Sequence, residues 1–286
     1  MNAQQFIEEV KNSDLYYDGF EQEYTEFQEY QRQAMRALIA FKNVCDKNGI
    51  FYQLAWGSLL GAIRDGGQIP WDYDIDVFVA YQDKEKLVEA LKRDLDENFY
   101  FYCPETDSKC RHFIIRVAPN EYYTDVLHVD VFYLVGAPED ITECQNFARR
   151  LKELTSMRYY KLINPTRACM GNIREFVSLV RGKMHYRKIA LQDVETEFNL
   201  LCTKYDFKTA KNFVSADFFA EQLIYPADMT REIMEYQTND GVFMIPVGYN
   251  ELLEKIYTNY MNPPSLESRL NEMRGHYRNL KKYAKI

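Results

Sequence analysis

The chain has 286 residues, of which 47% are hydrophobic and 27% charged, and its formal net charge is −8. That size and composition suit one large domain, or a domain with a helical appendage, and exclude disorder over most of the length. The acidic balance argues against a protein that wraps nucleic acid, which needs cationic surface to displace counterions, yet leaves room for a nucleotide held locally through metal ions.

Residues 1–20 are mixed in character and expected to be peripheral. Residues 21–46 read as a helix, because Phe27, Met35, Leu38, Phe41, Val44 and Cys45 recur at three- to four-residue spacing. Asn48-Gly49 is the stop. Residues 50–56 read as a short buried strand, broken at Gly57-Ser58, and 59–63 as one or two helical turns. Residues 75–79 form a second strand, and Asp83 is placed to cap a helix over 84–95. Strands are expected at 99–102, 113–117 and 129–135, with turns at 104–109 and Pro119-Asn120. Residues 142–160 and most of 173–202 read as helix. A strand at 242–245 and a helix at 249–260 follow, closed by Asn262-Pro263-Pro264. The tail at 274–282 is basic. It reads as a solvated helix end, with attachment to an anionic membrane face as the second reading. The order of elements predicts an α+β fold, a mixed sheet flanked by helices.

Six cysteines, Cys45, Cys103, Cys110, Cys144, Cys169 and Cys202, lie far apart with no C-x-x-C pair. The N-terminus is polar, and no apolar run approaches the roughly 18 residues of a membrane span. A reduced cytoplasmic protein with buried thiols is the expectation. The four histidines show no zinc-like spacing, and His112 and His128 read as ordinary strand residues.

The chemistry concentrates in GSLLGAIRDGGQIPWDYDID, residues 57–76. Asp74 and Asp76 are two apart, so on a strand they share a face while Ile75 and Val77 point the other way. Charge within an apolar strand is costly unless compensated, and a divalent cation with hard oxygen ligands would do so. Two surface aspartates on an edge strand are the plainer alternative. Asp130, in HVDVF, repeats the pattern. It either completes a three-carboxylate site able to hold two ions or is a strand-end aspartate bonded to backbone. Gly57-Ser58 suits phosphate through the amides of a helix start, with Ser58 equally readable as a cap. The glycines match neither a dinucleotide fingerprint nor a P-loop. Arg64 could grip phosphate bidentately or pair with Asp72. Trp71 reads as a core wedge or as a face for a base or quaternary ammonium. Tyr122 and Tyr123 are further candidates for the substrate.

These residues resemble the nucleotidyltransferase superfamily, and more closely the LicD family of phosphocholine and related phosphotransferases with its fukutin-type relatives. Its motif resembles G-T-L-L-G-x-x-R-x-x-G-x-I-P-W-D-x-D-I-D. Here stand Gly57-Ser58-Leu59-Leu60-Gly61, Arg64, Gly67, Ile69-Pro70-Trp71-Asp72 and Asp74-Ile75-Asp76. Asp130 resembles the family's third-aspartate strand. Ile245-Pro246-Val247-Gly248-Tyr249, Leu252, Tyr257 and Tyr260-Met261-Asn262-Pro263-Pro264 resemble its closing segment. Asp65, Gln68 and Thr258-Asn259 depart from the pattern, where histidine, an aromatic residue and glycine-aspartate are usual.

The resemblance implies a nucleotidyltransferase-like core over 35–140, a peripheral segment over 1–34 and a mostly helical region over 141–286. It implies magnesium or manganese, two ions, held by Asp74, Asp76 and Asp130. Asp72 would orient Arg64 or a metal-bound water. The donor implied is a CDP-alcohol, CDP-choline first, and the acceptor a hydroxyl of a cell-surface glycan or lipid-linked precursor, with CMP released. Gly57, Ser58 and Arg64 would stabilise the transferring phosphoryl group, and Asp130 could take the hydroxyl proton. The rival is transfer of a nucleoside monophosphate from a triphosphate with release of pyrophosphate. The family's acceptors suggest peripheral association with the inner membrane face.

Overall fold

In the computed structural model, the described residues are 1–169, 172–218 and 224–284. Helix α1 (Ala3–Lys11) begins at a capping box in which Asn2 and Gln5 each bond the other's backbone amide. Its Phe6 and Val10 are fully buried. The N-terminal segment is therefore part of the core and not peripheral; two apolar residues four apart are enough to dock one face of a short helix. Helix α2 (Phe20–Asn48) runs unbroken through residue 34 and stops at Gly49, whose φ of 57° is the left-handed cap that glycine takes most readily.

Strand β1 (Tyr52–Leu54) leads into helix α3 (Trp56–Arg64), which starts earlier than expected. Then come β2 (Ile75–Ala80), a 3-10 turn and α4 (Lys84–Asp94). Asp83 precedes α4 but makes no side-chain cap bond. Strands β3 (Phe99–Tyr102), β4 (Ile115–Pro119) and β5 (Val129–Ala137) follow. Helices α5 (Ile141–Leu162), α6 (Pro165–Ala168), α7 (Ile173–His185) and α8 (Leu191–Thr203) fill the middle of the chain. Three unexpected strands, β6 (Asn212–Ser215), β7 (Ile224–Pro226) and β8 (Ile233–Thr238), accompany β9 (Gly241–Pro246), with α9 (Ala227–Thr230) between β7 and β8. Helices α10 (Tyr249–Ile256) and α11 (Leu266–Tyr283) complete the chain.

The main sheet runs β1-β2-β5-β4-β3, with β6 on β5 and β7 on β6, while β8 and β9 form a separate hairpin. Its centre is the parallel pair β2 and β5; the neighbours β1 and β4 are antiparallel. The mixed sheet and its helices make an α+β architecture, as the sequence predicts. One face of the pair presents Ile75, Val77, Val79, Val129 and Val131, all buried, under α2. The other face carries Asp76, Phe78, Asp130 and Phe132. One hydrophobic core gathers side chains from Phe6 to Ala284.

The basic tail is also a core element. In α11, Leu270, Met273, Tyr277 and Leu280 are buried. Its cations are engaged: Arg274 lies over the Tyr17 ring at 4.4 Å and Lys281 pairs with Glu26 at 3.1 Å.

Candidate active site

Asp76 and Asp130 are register partners across β2 and β5, and Arg116 is the register partner of Asp130 across β4. The three side chains therefore line up across one face of the sheet. Arg116 Nε donates to Asp130 Oδ1 at 2.8 Å, and His128 Nε2 stands 3.1 Å from the same oxygen. Burial works to raise the Asp130 carboxyl, but the neighbouring Arg116 and His128 outweigh it and hold the group well below the usual carboxylate range. Arg116 also reaches Asp125 at 3.3 Å. The strand-aspartate pattern thus hid an ion pair: Arg116 is invisible as a partner until the register of β4 is known.

Asp76 is in the opposite state. Burial raises its pKa well above the ordinary value, and the charges of Asp130, Asp74, Asp72 and Asp217 add to the rise. Asp217 carries no signal in the sequence. It is buried two residues beyond Ser215, whose hydroxyl bonds it, at the end of a strand the sequence did not reveal. Asp72 is likewise raised, to about 6, by burial and then by Asp74.

His276 on α11 partly opposes this. Its Nε2 is 3.7 Å from Asp72 Oδ1, and its ring meets Tyr73 edge-on at 5.1 Å. Burial disfavours its charged form, yet the hydrogen bond with Glu272 and the charges of Asp72 and Asp74 raise its pKa overall. Tyr257 also belongs here: burial lifts its phenol, and Asp76 and Asp72 lift it further.

The loop carrying Asp72 and Asp74 is held from behind. Gln31 in α2 donates to the carbonyls of Ile69 at 3.0 Å and Asp72 at 2.6 Å, and Tyr24 donates to that of Pro70 at 3.0 Å. Gly61 allows the close approach this needs, since a Cβ there would lie 2.5 Å from the Gly67 carbonyl oxygen. Gly67 serves packing too, since a Cβ there would lie 2.5 Å from Asp240 Oδ2. The turn of the β8–β9 hairpin grips the same loop, with Asp240 accepting from the Gln68 amide at 2.8 Å.

Helix α3 starts at the edge of the acidic group. Trp56 has a φ of 46°, a strained value for a tryptophan, and turns the chain sharply out of β1. No side chain caps the helix, so the amides of its first turn, including Gly57 and Ser58, have no partner within the helix. Ser58 is not the cap. Its hydroxyl oxygen accepts from the Asp76 amide at 2.9 Å and ties the helix start to β2.

Other expected site residues are placed differently. Arg64 makes a bidentate pair with Asp65, with Nη2–Oδ2 at 2.7 Å, and both are buried. It neither pairs with Asp72 nor projects as a phosphate hook, and Asp65, a departure from the family pattern, is the reason. Trp71 is buried against Phe6, with the guanidinium groups of Arg64 and Arg269 each 5.2 Å from its ring, so it is a wedge and not an open face for a ligand. Tyr122 is buried beside Tyr30, and the Tyr123 amide donates to Ala284 at 2.9 Å; both are held in the scaffold and are not drawn into the acidic group.

Among the described residues, no three His, Cys, Asp or Glu side chains are already gathered as a metal cage. The donor chemistry nonetheless fits a hard divalent cation. Several carboxylates crowd Asp76, and among the described residues neither Asp74 nor Asp76 is ion-paired with Arg, Lys or His, so a cation there would compensate their charge. The six cysteines are free and buried. No helix among the described residues is long and apolar enough to cross a membrane.

Residues 49–165 match the LicD/FKTN/FKRP nucleotidyltransferase domain. Over 253 residues the chain is 24% identical to the lipopolysaccharide cholinephosphotransferase LicD of Haemophilus influenzae, covering 84% of this chain and 92% of that protein. It is 50% identical over 40 residues to the ribitol 5-phosphate transferase FKRP of mouse and of human, a stretch that spans 14% of this chain and 8% of those proteins. The matched domain contains both the Asp74–Asp76 loop and Asp130, and the similarity to the LicD protein runs along most of the chain.

Proposed function

We propose that the protein is a metal-dependent phosphotransferase that moves a phosphoalcohol group, phosphocholine first among the candidates, from a CDP-linked donor to a glycan hydroxyl. The observation that carries this reading is the crowding of Asp74, Asp76 and Asp130 beside the uncapped start of α3, which sets cation ligands next to amide donors for phosphate. Bound magnesium or manganese, held by Asp74 and Asp76 with Asp130 alongside, would neutralise the diphosphate and polarise the transferring phosphoryl group.

The chain's own groups do the rest. The first-turn amides of α3 receive phosphate oxygens, and Ser58 keeps that turn fixed to the strand of Asp76. The acceptor oxygen bonds to the distal phosphorus, the bond from that phosphorus to CMP breaks, and the hydroxyl proton is released to solvent. Arg116 and His128 keep Asp130 ionised, which makes it a poor proton acceptor and a good anchor of charge. Arg64 contributes from behind the loop by holding Trp71 and Asp65 in place.

The similarity to a cholinephosphotransferase and to ribitol 5-phosphate transferases supports the phosphoalcohol reading and a glycan acceptor such as lipopolysaccharide. The matched domain's description supports the second reading, nucleotidyl transfer from a nucleoside triphosphate to a sugar or alcohol. The released product separates them: incubation with CDP-choline and glycan acceptor is expected to liberate CMP, whereas pyrophosphate from CTP with no CMP from CDP-choline would establish the second.

A further inference from the structure

Among the described residues the β8–β9 hairpin pairs with no strand of the main sheet, yet its turn reaches the loop that leads to Asp72 and Asp74. The Asn239 amide donates to the Gly66 carbonyl at 2.7 Å, and the Gln68 amide donates to Asp240 Oδ2 at 2.8 Å. The turn is shaped for this contact. Buried Thr238 donates its hydroxyl to the Gly241 carbonyl at 2.9 Å, and the same oxygen accepts from the Asp240 amide at 3.1 Å, which fixes where Asp240 stands. Below the turn, Phe243 and Ile245 are buried in the main core and β9 packs against β1, so the hairpin is a firm support.

Gln68 passes the contact on. Its Nε2 donates to the Tyr73 carbonyl at 3.2 Å, part of the peptide that joins Tyr73 to Asp74. The aromatic residue usual at this position of the LicD pattern has no amide to make that bond. Helix α2 holds the carbonyls of Ile69, Pro70 and Asp72, but the Tyr73–Asp74 peptide lies past those anchors. Asp240 and Gln68 therefore form a two-bond bridge from the hairpin to the backbone of Asp74. Gly67 leaves the room for it, because a Cβ there would meet the Asp240 carboxylate.

We propose that Asp240 is a positioning residue, which through Gln68 ties the Asp74 backbone to the hairpin and so sets the affinity of the acidic loop for a divalent cation. Asp240 itself touches no reacting atom. A ligand already held in place binds a cation without first being ordered, and partners behind the ligands supply that order. The carboxylate works here as a hydrogen-bond acceptor for one backbone amide, so a neutral acceptor of the same shape can stand in for it. The affinity claim rests on the cation reading of the proposed function; the tie between hairpin and loop does not.

Hydrogen exchange of the metal-free whole chain, together with Mn2+ binding followed by electron paramagnetic resonance, tests both halves. In Asp240→Ala, exchange over residues 66–76 should rise about fivefold, and Mn2+ affinity should fall by about fivefold or more. Asp240→Asn, whose Oδ1 still accepts from the Gln68 amide, should restore most of both. Gly67→Ala displaces the same carboxylate from the loop side and should reproduce Asp240→Ala, with the double variant no worse than either single one. Unchanged exchange in Asp240→Ala would overturn the tie. Faster exchange with unchanged Mn2+ affinity would reduce Asp240 to a structural role and overturn the proposal. Equal losses in Asp240→Asn and Asp240→Ala would also overturn it, by making the charge and not the hydrogen bond the working feature. Absence of Mn2+ binding by the wild type would contradict the proposed function and the affinity claim with it, while exchange still decides the tie.

Discussion

His276 Nε2 lies 3.7 Å from Asp72 Oδ1, so the C-terminal helix closes onto the loop that carries Asp72 and Asp74. The two residues are 204 positions apart in the chain and become neighbours only through the packing of α11 on α1 and α2.

This pair has a pH signature. The folded pKa of His276 is raised, so its stabilising contribution is complete below the unfolded value, near 6.5, and is lost as pH rises through the higher folded value. His276→Gln should lower stability by about 0.5–1 kcal/mol at pH 6, with the difference shrinking by pH 8.5, as read from paired urea melts. A difference that grows with pH would contradict the assignment.

Arg116 and Asp130 are both largely buried, with side-chain exposures of 11% and 16%. Arg116→Leu leaves Asp130 in a site built for a pair and should cost about 3 kcal/mol at neutral pH. The folded pKa of Asp130 is depressed, so the stability it supplies is present above the unfolded value, near 3.8, and disappears as pH falls through the folded value. The gap between wild type and Arg116→Leu should therefore narrow in acid, which thermal melts at pH 7 and at the lowest pH that still gives a cooperative transition can check.

At Gly61 even a methyl group would run into backbone, 2.5 Å from the Gly67 carbonyl and 3.1 Å from the Ile69 amide nitrogen. Gly61→Ala should cost about 1–3 kcal/mol and shift the Asp72 loop. Equal stability of variant and wild type would mean that the loop relaxes freely.

Much of this site could be read from sequence. Asp74, Asp76 and Asp130 stood out because a charged residue breaks an apolar strand pattern, and the register of β2 and β5 brings Asp76 and Asp130 side by side. Asp217, Tyr257 and His276 could not be found in that way. Asp217 follows a short strand with little alternation, and the other two belong to a late segment whose helical pattern gives no hint of what it covers. Arg64 departs from the sequence expectation for a local reason. The motif places an arginine there, but Asp65 next to it takes the Nε and Nη2 edge of the guanidinium. α1 carries little signal in the sequence because only Phe6 and Val10 anchor it.

The most direct test is CMP release from CDP-choline, measured with magnesium or manganese and with a chelator, for wild type and for Asp76→Asn. The account predicts metal-dependent release by the wild type and a loss of at least about a hundredfold in the variant, with the fold unchanged by circular dichroism. Equal turnover by Asp76→Asn, or full turnover in excess chelator, would contradict it.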